Sequence, residues 1–288
     1  MVRWTCTRRR ILGRISTERG DFLINKETGL LTSVLEEDNK FTVSGPHLVY
    51  KTKGKQLTYS SNEINVYGGE WKLIKLDIET TDGTAIIKIQ GRDGVIGVNY
   101  QLEIYSDATL TTSYSFQELP RENVRELGVK YRLDGAYDRL SWHRQSYWST
   151  YPDGHLSAAT GETALYPEKL NTYREKPSKP WVMDTKSFYY NGIDGEQKDE
   201  LTHIARSAKE AVYEYTLFQA NGKRLTVFGQ GDIDCRLNKT GGQLELYLDN
   251  LMDYIDLNWG NHQKNIMLDG AYQNRSTMKF EAGHIEKQ

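Results

Sequence analysis

Short runs of branched and aromatic residues, each closed by a turn signal, recur about every ten residues through the first half of this chain, and that spacing leaves little room for anything but β-structure. Residues 71–79, 85–90, 98–105 and 109–116 are such runs, separated by Asp82-Gly83, Asp93-Gly94 and Ser106-Asp107. Gly there permits unusual backbone angles and Asp bonds its own backbone, while Thr, Tyr, Ile and Val fit a pleated surface. Residues 22–24 and 29–35 flank Asn25-Lys26-Glu27-Thr28, a hairpin signature. Runs at 47–50, 56–59 and 63–67, and later at 211–219, 224–228 and 243–248, continue the pattern. No glycine-rich loop sits between a strand and a long helix and no heptad is sustained, which excludes a parallel nucleotide-binding fold. Between them, residues 161–200 carry Pro167, Pro177 and Pro180 and read as an excursion. Residues 248–257 admit a helix, with Leu248, Leu251 and Ile255 near one face, or strand and loop.

Composition sets the class of partner. Nineteen Tyr, seven Phe and six Trp supply wide apolar surface from few side chains, enough for a core. Thirty-seven basic against thirty-nine acidic residues give a net charge of −2, so neither nucleic acid nor an anionic membrane has a claim on the whole chain. Arg8-Arg9-Arg10 is a local exception and reads as a solvated edge or terminus. No stretch approaches ~20 apolar residues, and no apolar segment suited to secretion follows the early arginines. Cys6 and Cys235 are too few for a disulfide scaffold or a structural metal site, and no cofactor or metal is implied.

The segment from Trp142 to Asp153, WHRQSYWSTYPD, sets Arg, Gln and Ser between large rings and ends in a turn signal. Aromatic faces cover the less polar faces of pyranose rings, and charged or amide groups satisfy the hydroxyls. Trp142 or Trp148 is the candidate ring, and Arg144, Gln145 and Asp153 are the candidate polar contacts. The alternative has the rings packed inside and the polar residues solvated or supporting the Tyr-Pro-Asp turn. His143, His155 and His262 invite a proton-transfer reading with Glu162 or Glu245, but no spacing picks a pair, and no catalytic residue is assigned. Asp249, Asp253 and Asp256 fail the spacing of a calcium loop and read as surface charges. Asn258, Trp259 and Asn261 offer a secondary sugar contact or a packed ring flanked by turn residues.

In this same segment Trp142, Tyr151, Pro152 and Asp153 have the order and spacing of the Trp to Tyr-Pro-Asp motif of the C-terminal domain of glycoside hydrolase family 2 β-galactosidases. VKYRLDGAYDRLSWHRQSYWSTYPDG resembles the strand entering that motif, FLINKETGLLTSV resembles the opening hairpin, and RSAKEAVYEYTLF a later region. Residues 144–150 depart from the glycines and Pro-Gln-Glu-Asn pattern between the family's Trp and Tyr. The resemblance implies an all-β, large antiparallel supersandwich similar to galactose mutarotase, with residues 1–18 an extension or first strand and 19–288 one domain. It implies a β-galactoside or plant oligosaccharide as ligand and Trp142 as a residue bordering the sugar site. The family's catalytic carboxylates lie on a (β/α) barrel, which this chain has neither the alternating elements nor the length to add. The partner implied is therefore a catalytic barrel in the full-length protein or on a separate subunit. The chain then reads as a noncatalytic accessory domain, whether excised, split or truncated; a freestanding mutarotase-like epimerase and a purely structural interaction domain are the alternatives.

Overall fold

A computed structural model of the chain describes residues 2–5, 12–36, 39–58, 61–145, 158–164, 207–240, 242–252 and 266–283. In chain order the strands are β1 (Arg3–Thr5), β2 (Leu12–Ser16), β3 (Gly20–Asn25), β4 (Leu31–Glu36), β5 (Asn39–Thr58) and β6 (Ser61–Tyr67). Next come β7 (Trp71–Thr80), β8 (Thr84–Asp93), β9 (Ile96–Tyr105), β10 (Thr109–Gln117), β11 (Val124–Asp134) and β12 (Tyr137–Arg144). The last are β13 (Thr160–Ala164), β14 (Val212–Gln219), β15 (Arg224–Phe228), β16 (Asp234–Thr240), β17 (Gln243–Met252) and β18 (Ala271–Glu281). The fold is all-β, and the described residues form two nine-stranded antiparallel sheets. One runs β1-β2-β3-β4-β5-β11-β17-β16 with β6 also on β5, the other β13-β12-β14-β15-β18-β10-β9-β8-β7.

Local chemistry explains the elements. Asn25 Oδ1 accepts the backbone N–H groups of Glu27 at 2.8 Å and Thr28 at 3.2 Å, closing the turn between β3 and β4. The twenty-residue β5 serves three partners in succession, β4, then β11, then β6. The helical alternative for residues 248–257 is corrected as far as Met252, which ends β17: Leu244, Leu246 and Leu248 alternate into the core with period two.

The core lies between the two sheets. Phe280 of β18 packs edge-on against Phe22 of β3 at 6.1 Å and Phe41 of β5 at 5.5 Å. The Tyr131 hydroxyl of β11 meets Thr112 Oγ1 of β10 at 2.6 Å, a buried hydrogen bond from one sheet to the other. Burial pushes the Tyr131 phenol well up, so it stays neutral. Tyr131→Phe orphans the Thr112 hydroxyl, and chemical denaturation is expected to show a loss of about 1 kcal/mol; an unchanged midpoint would show that the bond contributes nothing.

Candidate functional site

Alternation along β12 sends Leu140 and Trp142 into the core and His143 outward. Trp142 is 3 % exposed. Its Nε1–H donates to the Ala158 carbonyl at 3.1 Å, and Lys209 Nζ stands 4.3 Å from the ring centroid. Gly161 is its partner on β13, and a Cβ there would lie 2.3 Å from the indole, so the ring fills the space a side chain would need. In this structure Trp142 is the packed anchor of its strand rather than an exposed sugar-facing ring. Arg144 is half-buried with Nε donating to the same Ala158 carbonyl at 3.3 Å, and Gln145 is exposed just past the strand end. The exposed ring here is Tyr213, 5.1 Å from His143. Trp148 and Asp153 lie outside the described residues, as do Tyr151, Pro152, His155, Asp253, Asp256, His262, the Arg8 to Arg10 run and the Asn258 to Asn261 group. Glu162 is exposed and paired with Arg139.

A second feature escaped the sequence reading. The outer face of the second sheet carries a groove of about 680 Å³, within the size range of small-ligand sites. Period-two alternation builds it. Ile87, Ile89, Val98, Tyr100, Leu110 and Phe116 face the core, so the residues between them face out. Cross-strand register sets these in rows: Asp77, Lys88, Gln101, Ser113 and Arg275 in one, Lys75, Gln90, Asn99, Ser115 and Gln273 in the next. Asn99 Nδ2 donates to Ser115 Oγ at 3.3 Å and Gln101 Nε2 to Glu103 Oε1 at 2.7 Å. The side chains of Gln90, Ser113, Gln273 and Arg275 have no hydrogen-bond partner among the described residues. The groove thus offers amides, hydroxyls and cations in one plane, a surface suited to a polyhydroxylated ligand.

A third feature lies on the outer face of the first sheet. Glu126 of β11 is 2 % exposed, and both its oxygens accept from the Arg236 guanidinium, Nη2 at 2.8 Å. Lys51 Nζ lies 3.1 Å from the same carboxylate, and Arg236 stacks on Tyr247 at 3.5 Å. Burial opposes its ionisation, but Arg236 and Lys51 outweigh burial and hold the Glu126 carboxyl far below the usual carboxylate range. Asp249 of β17 behaves in the opposite way. It is fully buried, no described donor reaches its oxygens, and burial beside Glu126 pushes its carboxyl well up, which favours the protonated form. Gly128 faces Asp249 across the bulge in β11; a Cβ there would lie 2.2 Å from the Leu248 carbonyl and 2.9 Å from Asp249 Oδ1. The surface role read for Asp249 is corrected, since it is buried, and Glu245 is buried as well, against Lys130 at 2.7 Å and Tyr247 at 2.9 Å. Cys235 is a free, buried thiol, and Cys6 lies outside the described residues.

No protein-family model matches the sequence. No curated protein matches it either. Among solved structures the chain is similar to galactose 1-epimerase from Lactobacillus acidophilus NCFM, at 10 % identity over 99 % of both chains with a TM-score of 0.48. It is also similar to a putative aldose 1-epimerase from Escherichia coli K12, at 10 % identity over 93 % of this chain and 98 % of that one, TM-score 0.44. The α-N-acetylgalactosaminidase NagBb from Bifidobacterium bifidum gives 8 % identity over 93 % of this chain but 36 % of that chain, TM-score 0.42. The all-β two-sheet architecture rests on the strands of this chain itself.

Proposed function

We propose that this chain is a carbohydrate-binding β domain, accessory to a glycoside hydrolase of the family 2 β-galactosidase kind, and that saccharide lies in the groove on the second sheet. The observation that carries the reading is the groove itself, where Gln90, Ser113 and Gln273 present unpartnered polar groups from three different strands. Sugar hydroxyls both donate and accept, and amide and hydroxyl side chains do the same. In this reading Arg144 and Gln145 at the end of β12, with Trp148 and Asp153 of the following segment, border the sugar site of a catalytic partner, while Trp142 anchors the strand from beneath.

Titration of the purified chain with β-galactosides and plant-type oligosaccharides, followed by NMR of the sugar protons, tests the reading. Saturable contact without anomeric interconversion is the expected outcome. Gln90→Ala removes one ligand hydrogen bond and is expected to weaken binding about fivefold. Absence of saturable binding, or binding that ignores both Gln90→Ala and Gln273→Ala, would remove the groove from the proposal.

One observation favours a second reading, a freestanding sugar epimerase. Glu126 and Asp249 are neighbouring carboxyls whose surroundings push them in opposite directions, Glu126 toward the ionised and Asp249 toward the protonated form, the division of labour an acid–base pair needs. Their burial, set against an open groove, ranks this second. Interconversion of anomers in the same titration, abolished by Glu126→Gln, would reverse the order.

A further inference from the structure

We infer that the groove selects saccharides carrying a negative charge, a uronate carboxylate or a sulfate ester, and that Arg275 reads that charge. The inference rests on the carbohydrate reading of the groove and goes beyond it by naming the class of sugar. Three cations line the groove, Lys75, Lys88 and Arg275, against one carboxylate, Asp77. Lys75 is paired with Asp77 at 2.5 Å and Lys88 with Glu79 at 2.8 Å, one row along. Glu103, the other acid beside the groove, already accepts from Gln101 at 2.7 Å and from the Tyr105 hydroxyl at 2.8 Å. Arg275 alone among these cations has no carboxylate within ion-pair reach among the described residues.

Its position suits the task. Arg275 sits on β18 directly opposite Ser113 of β10, with Gln273 two residues away on the same face. A guanidinium presents a planar fork of donors that matches a carboxylate or sulfate two oxygens at a time, and the flanking hydroxyl and amide are free for the hydroxyls of the same ring. Lys88 stands in the same row three strands away, about 14 Å by the usual strand spacing. Its exposed ion pair with Glu79 is weak enough to exchange for a second charge on a longer chain. The net charge of −2 makes this a local property of the groove, not of a basic protein.

The test titrates the full chain with trigalacturonate, a sulfated galactotriose and neutral β-galactotriose. At low salt at least one acidic trisaccharide is expected to bind about tenfold more tightly than the neutral one, with the preference shrinking as salt is raised. Whichever acidic probe gains identifies the charge. Arg275→Gln, checked for folding by near-UV circular dichroism, is expected to bring the acidic affinity down to the neutral value. Arg19→Gln, outside the groove, is expected to leave the preference unchanged. Equal binding of all three sugars, or a preference that survives Arg275→Gln, overturns the inference and leaves the carbohydrate reading standing. Failure of every sugar to bind overturns both.

Discussion

Glu126→Ala is expected to lower the unfolding free energy by about 3–5 kcal/mol, measured by chemical denaturation at neutral pH. The size follows from what the substitution leaves behind. Arg236 and Lys51 are 3 % and 7 % exposed, and Glu126 is the carboxylate that both engage. Breaking a buried ion pair by removing one partner is costly because the buried cations keep their desolvation penalty and lose the carboxylate that offset it. Asp249 cannot substitute cheaply: it would have to give up its proton inside the same fully buried pocket. It therefore supplies the control. Because its surroundings favour the neutral form of Asp249, Asp249→Asn keeps the shape and a donor toward Glu126, and a change below about 1 kcal/mol is expected. Equal losses for the two variants would show that both carboxyls are ionised and overturn the assignment of the proton.

The sheets were legible because period two is a strong signal when one face is buried. In residues 98–105 and 109–116, Val98, Tyr100, Leu102, Leu110 and Phe116 alternate with Asn99, Gln101, Ser113 and Ser115, and these became β9 and β10. The same alternation contains the groove-facing residues, but nothing in a single sequence says that β18, more than 150 residues on, lies beside β10 and delivers Gln273 and Arg275 to that face. The Glu126 cluster was hidden for a related reason. Its members stand on β5, β11, β16 and β17, each a polar residue at an outward position, and an outward charge reads as solvated until the structure shows it buried. Trp142, left open between a sugar-facing and a packed ring, is the reverse case. Its polar neighbours suggested a surface, yet Leu140 and Trp142 keep the inward phase of β12, and the phase decides.

His47 is expected to make the fold acid-sensitive well before its carboxylates titrate. It sits on β5 facing Lys130 of β11, partly buried, with Nε2 3.3 Å from Ser44 Oγ. Burial, then the positive charges of Arg132 and Lys130, lower its pKa to about 4, with Glu245 opposing them. The sign follows from proton counts. Between pH 6.5, where an unfolded His protonates, and pH 4, the unfolded chain holds a proton that the native state does not. Stability therefore falls as pH falls through that window and is fully present above it. At about 1.4 kcal/mol per unit, and allowing for partial exposure, the loss by pH 4 is about 2–3 kcal/mol. The carboxylates follow below that window: Glu126 and Glu245, both held below their ordinary values, withdraw their own contributions only as pH drops from the ordinary glutamate range toward those lowered values. His47→Gln separates the terms, because it keeps a polar group near Ser44 without the titration. Between pH 6.5 and 5 the wild-type curve should slope while the difference from His47→Gln isolates the histidine. Parallel curves for the two proteins across that interval would show that His47 protonates as easily folded as unfolded, and that the cations beside it are screened.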